Sequence, residues 1–358
     1  MAEAIKIGWL GAALDGPGGG YDNIHRLAFD EAVEGGLLDR PYEFVLHGEH
    51  GLPHGSAKNA TDGFRYLADQ GCIGVAGAYS SDNAITVAPL ANQLEIPLIS
   101  WAGTERLQGE YCFRLGNGDV GGDAALVAAW LKRHGHRRIA VLSELSPNGE
   151  EYFRFFRQEC RRHNLTITAV ETVSQSPDRL ADNLDNLRQV NADALAYMGY
   201  GMLAAKGLLR AALDELQWDP PRIMSTAFMW YLMGFDKFEG WVGIDQFDPR
   251  NPLTQSFHER FVARYGYEPP MWPNAIPVLA YDTARVLVEG LFRAPILSGP
   301  GLKAGLESIR FMPSTTGGAQ THIACSPYEH GMFRGDWLLY GRVNDGKLEF
   351  EGLFEPWE

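Results

Sequence analysis

Residues 73–100, IGVAGAYSSDNAITVAPLANQLEIPLIS, decide the fold class. The apolar run Ile73 to Ala76 ends in a glycine-containing turn, Asp82 to Leu94 carries its apolar residues at helical spacing, and Pro97 to Ser100 is a second short apolar run. Strand, helix and strand in that order form a βα unit feeding a parallel sheet. The same rhythm holds on both sides. Towards the N-terminus lie strand Ile5 to Leu10, helix Tyr21 to Glu34 stopped by Gly35-Gly36, strand Tyr42 to His47 and a helix near Ala57 to Ala68. After the glycine-punctuated stretch Leu115-Gly116-Asn117-Gly118 the alternation starts again. Its helices are expected at Asp119 to His134, Gly149 to His163, Arg179 to Val190 and Met202 to Leu216, with strands at Arg138 to Ser143, Thr166 to Val173, Ala192 to Tyr197 and Arg222 to Ser225. The chain therefore holds two similar α/β halves. Helices Thr254 to Tyr265 and Ala275 to Phe292 follow a Pro/Asp-rich segment and need a sheet to cover, and the end, about Asn344-Asp345-Gly346-Lys347, reads as a β-hairpin.

Length and charge narrow the function classes. A chain of 358 residues exceeds the size at which one core normally keeps growing, so two domains are expected. The formal net charge of −14 argues against nucleic acid, because phosphate binding needs a surface rich in Lys and Arg. No run approaches the roughly 20 apolar residues of a membrane helix, so no direct membrane insertion is expected. The opening Met1-Ala2-Glu3-Ala4-Ile5-Lys6 lacks a signal-peptide pattern, which fits either a cytoplasmic protein or an exported one without its leader. Cys72, Cys112, Cys160 and Cys325 read as buried thiols, with a Cys72 to Cys112 bridge as the alternative in an exported protein.

Several motifs point to chemistry and do not carry it. Gly16-Pro17-Gly18-Gly19-Gly20 lacks the Gly-Lys-Ser/Thr of a phosphate loop, and Ser81-Asp82-Asn83 lacks the partners of a β-lactamase triplet. His47, Glu49, His50 and His54 are close in sequence, but a strand end and a loop impose no shared ligand geometry. No catalytic residue, metal or cofactor is assigned. An enzyme on the same scaffold has no specific residue in its favour.

In order along the chain, Asp15-Gly16-Pro17 with Tyr21, Gly77-Ala78-Tyr79-Ser80-Ser81-Asp82-Asn83-Ala84, Ala88-Pro89-Leu90-Ala91, Ile96-Pro97-Leu98-Ile99-Ser100, Ala102-Gly103-Thr104, Phe113-Arg114 and Ala280-Tyr281-Asp282-Thr283-Ala284 resemble the type I periplasmic solute-binding proteins. The likeness is to their branched-chain amino acid and amide-binding branch. It implies two doubly wound α/β lobes with parallel central sheets, a ligand cleft between lobes, and three crossover strands near residues 116–119, 247–252 and 318–332. Lobe one would be residues 1–117 plus 251–325, and lobe two 118–250 plus 326–358. The implied function is the extracytoplasmic binding subunit of an ABC importer, closing by a hinge on a small organic ligand and docking on a membrane permease. A cytoplasmic amide sensor of the same fold, acting on a regulatory protein, is the alternative.

Gly77 to Ser81 and Ser100 to Thr104 each follow a strand, where backbone N–H groups and a helix N-terminus offer donors to an anion or carbonyl. By the resemblance, Ser81, Ala102 and Thr104 grip the polar head and Tyr21 lies beside the ligand's body; helix or turn capping is the plain reading of both hydroxyls. Tyr79, Trp101, Phe228, Trp230 and Trp272 are candidates for an aromatic wall, of which about two are expected to touch the ligand. In lobe two Asn148 stands where the amino-acid binders have tyrosine, Tyr200 is near an aromatic position, and Ala227-Phe228 lacks the family's ammonium-pairing glutamate. Either Glu144 or Asp245 replaces that acid, or the ligand has no ammonium.

Overall fold

The computed structural model describes residues 3–11, 22–48, 51–52, 55–226 and 234–353. In chain order the elements begin with β1 (Ile5–Leu10), α1 (Asp22–Glu34), β2 (Tyr42–His47), α2 (Ala57–Asp69), β3 (Val75–Gly77), α3 (Ser81–Leu94), β4 (Leu98–Ser100) and β5 (Cys112–Arg114). Then come α4 (Val120–Arg133), β6 (Arg138–Glu144), α5 (Pro147–Arg162), β7 (Thr166–Val173), α6 (Ala181–Arg188), β8 (Ala194–Met198), α7 (Met202–Ala205), α8 (Leu208–Glu215), β9 (Arg222–Met224) and β10 (Trp241–Asp245). The remainder is α9 (Pro252–Tyr265), α10 (Ala275–Arg293), α11 (Gly299–Glu307), the two-residue strands β11 (Met312–Pro313), β12 (His322–Ile323) and β13 (Phe333–Arg334), and the hairpin β14 (Leu339–Asn344) and β15 (Lys347–Leu353). Among the described residues no helix is long and apolar enough to cross a membrane.

The chain forms two compact units, one of Met1–Asn117 with Phe247–Trp337 and the other of Gly118–Gln246 with Leu338–Glu358. The first unit holds β11, β12 and β13, which pair with one another.

In the first unit five parallel strands run in the order β2-β1-β3-β4-β5. Parallel strands are buried on both faces. One face packs on α2 and α3 through Leu10, Val75, Leu98, Phe64, Leu67 and Val87. On the other, Trp9 stacks on His25 of α1 and Phe44 meets Phe29, while the close approach of Gly74 to Leu302 of α11 leaves no room for a Cβ. The helices after residue 247 thus find their sheet in the first unit.

The second unit repeats the pattern, since its parallel strands run β7-β6-β8-β9-β10, the order of the first unit renumbered, and the antiparallel β14-β15 hairpin extends the β10 edge. Alternate residues of β6 serve two cores. Ala140 and Leu142 face Leu184, Leu209 and Trp241, whereas Ile139 and Val141 face Val127, Tyr152 and Phe156 of α4 and α5. The single helix expected over Met202 to Leu216 is two, because Gly207 takes a left-handed φ of 75° that ends α7 and starts α8. The four cysteines are buried free thiols, so Cys72 and Cys112 are not bridged. Burial pushes Cys72 up to about 11 and the other three to about 12.

Candidate functional site

In a sheet ordered 2-1-3-4-5 the chain reverses direction beside its first strand, and ligands of open α/β sheets bind outside the carboxyl ends at that switch point. In the first unit the switch lies where β1 and β3 end. Leu10 O accepts the Ala78 N–H at 2.9 Å. Gly77 sits at φ 137°, and a Cβ on it would come within 1.7 Å of Leu10 O, so only glycine fits. Ala78 follows in the left-handed region at φ 50°. These two residues turn the chain sharply into α3.

Ser100, at the end of β4 and fully buried, ties this turn to the next one. Its hydroxyl donates to Ala78 O at 2.8 Å and accepts the Ala102 N–H at 3.1 Å. The backbone donor expected of Ala102 is therefore already engaged, which corrects the expectation of free N–H groups at that position. Thr104 is buried; its hydroxyl accepts the Arg106 N–H at 3.1 Å and its carbonyl accepts from the Arg114 guanidinium. Its capping role is real. Ser81 is the first residue of α3 and buried, while Ser80 takes the N-cap position without making the side-chain cap bond. The Ser80 hydroxyl oxygen is buried with no partner. Asn83, one turn on, exchanges two hydrogen bonds with the backbone of Leu52 and pins the loop there.

The aromatic candidates separate. Tyr79 lies over Gly11, where an added Cβ would stand 2.4 Å from its ring, and it leans on Trp101 with centroids 4.2 Å apart. Trp101 is buried and donates its indole N–H to Thr283 of α10 at 2.8 Å, so it is a core anchor that backs Tyr79. Trp272 packs on His258 and Phe247. Tyr21, Ala227, Phe228 and Trp230 lie outside the described residues, as do Glu49, His50 and His54. Among the described residues no group of three or more His, Cys, Asp or Glu is arranged to hold a metal ion.

The equivalent switch point of the second unit lies where β6 and β8 end, and the buried carboxyl of Glu144 stands there. Glu144, the last residue of β6, accepts from the Tyr197 hydroxyl, from the Tyr200 N–H at 2.9 Å and from Gln175 at 3.5 Å. Burial raises its pKa, and those donors offset part of the rise. A Cβ at Gly199 would meet this carboxyl at 2.4 Å, so the approach requires glycine. Asp123 of α4 accepts from the Tyr152 hydroxyl at 2.9 Å and from both the N–H and the hydroxyl of Thr226. Burial pushes it up to about 6 against those bonds. Asn148 is the second residue of α5, behind the N-cap Ser146 whose hydroxyl accepts the Gly149 N–H at 3.0 Å. The Asn148 side chain is 3% exposed and its Oδ1 has no hydrogen-bond partner. Of the residues named here, Asp123, Tyr152 and Gln175 were not singled out in the sequence; each acts through a tertiary contact that spacing does not reveal.

A family model described as periplasmic binding protein matches residues 4–337. A search of curated proteins finds no match. Among solved structures, a type 1 periplasmic binding protein from Bordetella pertussis Tohama I superposes with a TM-score of 0.80 at 20% identity, covering 98% of this chain and 100% of that one. A leucine binding protein from Thermotoga maritima gives 0.79 at 18% identity, with 99% of each chain covered. A solute binding protein of an ABC transporter from Rhodopseudomonas palustris BisB5, in complex with 3,4-dihydroxy benzoic acid, gives 0.76 at 18%, covering 98% of this chain and 96% of that one.

Proposed function

Because the chain belongs to the periplasmic binding protein family, whose model spans residues 4–337, we propose that it is the solute-binding subunit of an ABC importer and not an enzyme. It works outside the cytoplasm, takes up one small carboxylate or amide with an apolar or aromatic body, or an amino acid, by hinge closure, and hands it to a membrane permease. The observation that carries this reading is the first unit's switch point. There the N-terminus of α3 opens with two serines and no side-chain cap, Ser100 fixes the neighbouring turn, and the Tyr79 ring stands beside them. Such a terminus favours a carboxylate or carbonyl oxygen, through unpaired N–H groups and the helix dipole, and the ring suits an apolar body. Relatives of this fold that bind leucine and 3,4-dihydroxy benzoic acid fit the same range of solutes. A dissociation constant near 1 μM, about −8 kcal/mol, suffices for capture.

Thermal-shift titration with branched amino acids, aromatic acids and short amides tests the reading, since a ligand selective for the native state raises apparent stability. Ser81→Ala and Thr104→Val are each expected to weaken binding while leaving the protein folded. The Thr104 change also removes one turn bond, about 1 kcal/mol. Unaltered affinity in both variants would refute the assignment of the polar head to this terminus.

A further inference from the structure

We infer that the second unit carries, at the end opposite its switch point, a docking surface for anionic lipid headgroups, built from exposed Lys and Arg side chains of α4, α5 and the turn before β6. The surface lies away from the solute end of the unit, so the inference stands whichever solute the protein takes.

The positive charge is concentrated. The chain has a formal net charge of −14, yet residues 132–138 and 154–162 hold eight of its 31 Lys and Arg, with Glu159 as their one acid. The parallel sheet gathers these segments. α4 stops at Arg133 and α5 at Arg162, while β6 and β7 start at Arg138 and Thr166, so both helix ends and both strand starts share one edge. The seven residues of β6, about 20 Å of strand, separate that edge from Glu144. The two helix ends are neighbours: burial, and after it the charge of Lys132 on α4, lowers the pKa of His163 at the end of α5.

Three features point to headgroups. First, the cations are available. Lys132, Arg137, Arg157 and Arg161 are exposed and form no ion pair among the described residues. Glu159 is engaged by Arg162, and Asp193 accepts the backbone N–H groups of Arg137 and Arg138. Second, helix dipoles do not account for the bias. Basic residues suit the last turn of a helix, but Arg137 and Arg157 lie outside any last turn. α8, which ends at the same edge on the other face of the sheet, closes with Asp214 and Glu215. Third, a protein partner normally needs an apolar or aromatic anchor at the centre of its interface. Among the described residues the exposed large apolar side chains of this unit are Leu145 and Val170. Leu145 follows β6 at the opposite edge and Val170 is the fifth residue of β7, so this edge lacks an anchor. A lipid surface asks for the number and exposure of cations and for no fixed geometry, each one close to it improving partition about fivefold.

The test is co-sedimentation of the full chain with phosphatidylcholine vesicles carrying either about 30 mol% phosphatidylglycerol or none. Partition is expected onto the anionic vesicles alone, and it should be lost between about 50 and 300 mM NaCl as the Debye length shortens to roughly half. Lys132→Gln, Arg137→Gln, Arg157→Gln and Arg161→Gln together should weaken it at least about thirtyfold, and the pair Lys132→Gln with Arg161→Gln, which keeps the test if the fourfold variant melts early, at least about fivefold. Arg137→Lys, Arg157→Lys and Arg161→Lys together should partition like the wild type, because charge is used and not guanidinium geometry. Lys58→Gln with Arg65→Gln, on α2 of the first unit, should also leave partition unchanged. No partition of the wild type at low salt, equal partition onto neutral vesicles, or smaller losses in the glutamine variants overturns the inference. Capture on immobilised poly-glutamate without partition onto vesicles gives the surface to an acidic protein and likewise overturns it. The readout involves no solute, so this inference and the solute-binding reading above fail separately.

Discussion

Replacing Ser100 by alanine removes a single oxygen and no packing volume, so the loss is confined to two hydrogen bonds. The hydroxyl is wholly buried, donates to Ala78 O at 2.8 Å and accepts the Ala102 N–H at 3.1 Å. Without it a carbonyl and an amide at two adjacent strand ends are left without that partner. Each such group costs about 1–3 kcal/mol; with the carbonyl's second lone pair and some relaxation, the low end applies to both, giving about 2 kcal/mol in total. For a unit of roughly 200 residues this corresponds to a fall of about 4–8 °C in Tm. Urea denaturation of wild type and Ser100→Ala should show the lower midpoint with an unchanged slope, because the surface exposed on unfolding is the same. Affinity for the solute should fall with it, since Tyr79 to Ser81 on one side and Ala102 to Thr104 on the other lose their common tether. A midpoint within about 1 °C of wild type together with undiminished affinity would show that other contacts hold the two turns, and would refute the clamp.

Two further outcomes follow from the same geometry. Gly77→Ala places a Cβ 1.7 Å from Leu10 O at a φ of 137°, so it should cost at least about 3 kcal/mol and reduce the yield of folded protein; a variant that melts like wild type would refute the required glycine. Asp123 makes stability depend on pH with a definite sign: its folded value of about 6 lies above the ordinary 3.8, so between those values the folded state holds a proton that the unfolded chain has lost. Stability is fully present below the lower value, declines as pH rises through the window by up to about 3 kcal/mol, and is flat above it. Glu144, also raised, acts in the same direction. Asp123→Asn should flatten the slope between pH 4 and 6 in denaturation curves, and an unaltered slope would assign it elsewhere.

Strands such as β6 and β8 were legible because a strand covered on both faces reads as an unbroken apolar run between turn residues. The helix break at Gly207 was not, since one glycine in an apolar helical pattern is compatible with a continuous helix and the left-handed φ is a tertiary outcome. Nor were β11, β12 and β13: two residues carry no period, and their partners come from one another across long loops. Ser81 and Thr104 stood out because hydroxyls in a glycine-rich turn after a strand attract notice. Ser100 ends an apolar strand and passes for part of it. Its function depends on register, because the pairing of Ala76 with Ile99 brings Ser100 beside Gly77 and so within reach of Ala78.

Register also explains how Glu144 finds its partners in the second unit. Leu142 pairs with Tyr197 and Ser143 with Met198, which carries Glu144 to the end of β6 next to the turn after β8, where Tyr197 and the Tyr200 N–H close on it. The two units share one strand order and use its switch point differently. In the first, a serine hydroxyl holds backbone turns, and the start of α3 has no side-chain cap; in the second, buried acids accept from hydroxyls and amides of their own unit. Acids engaged in that way position Tyr197, Tyr200 and Thr226.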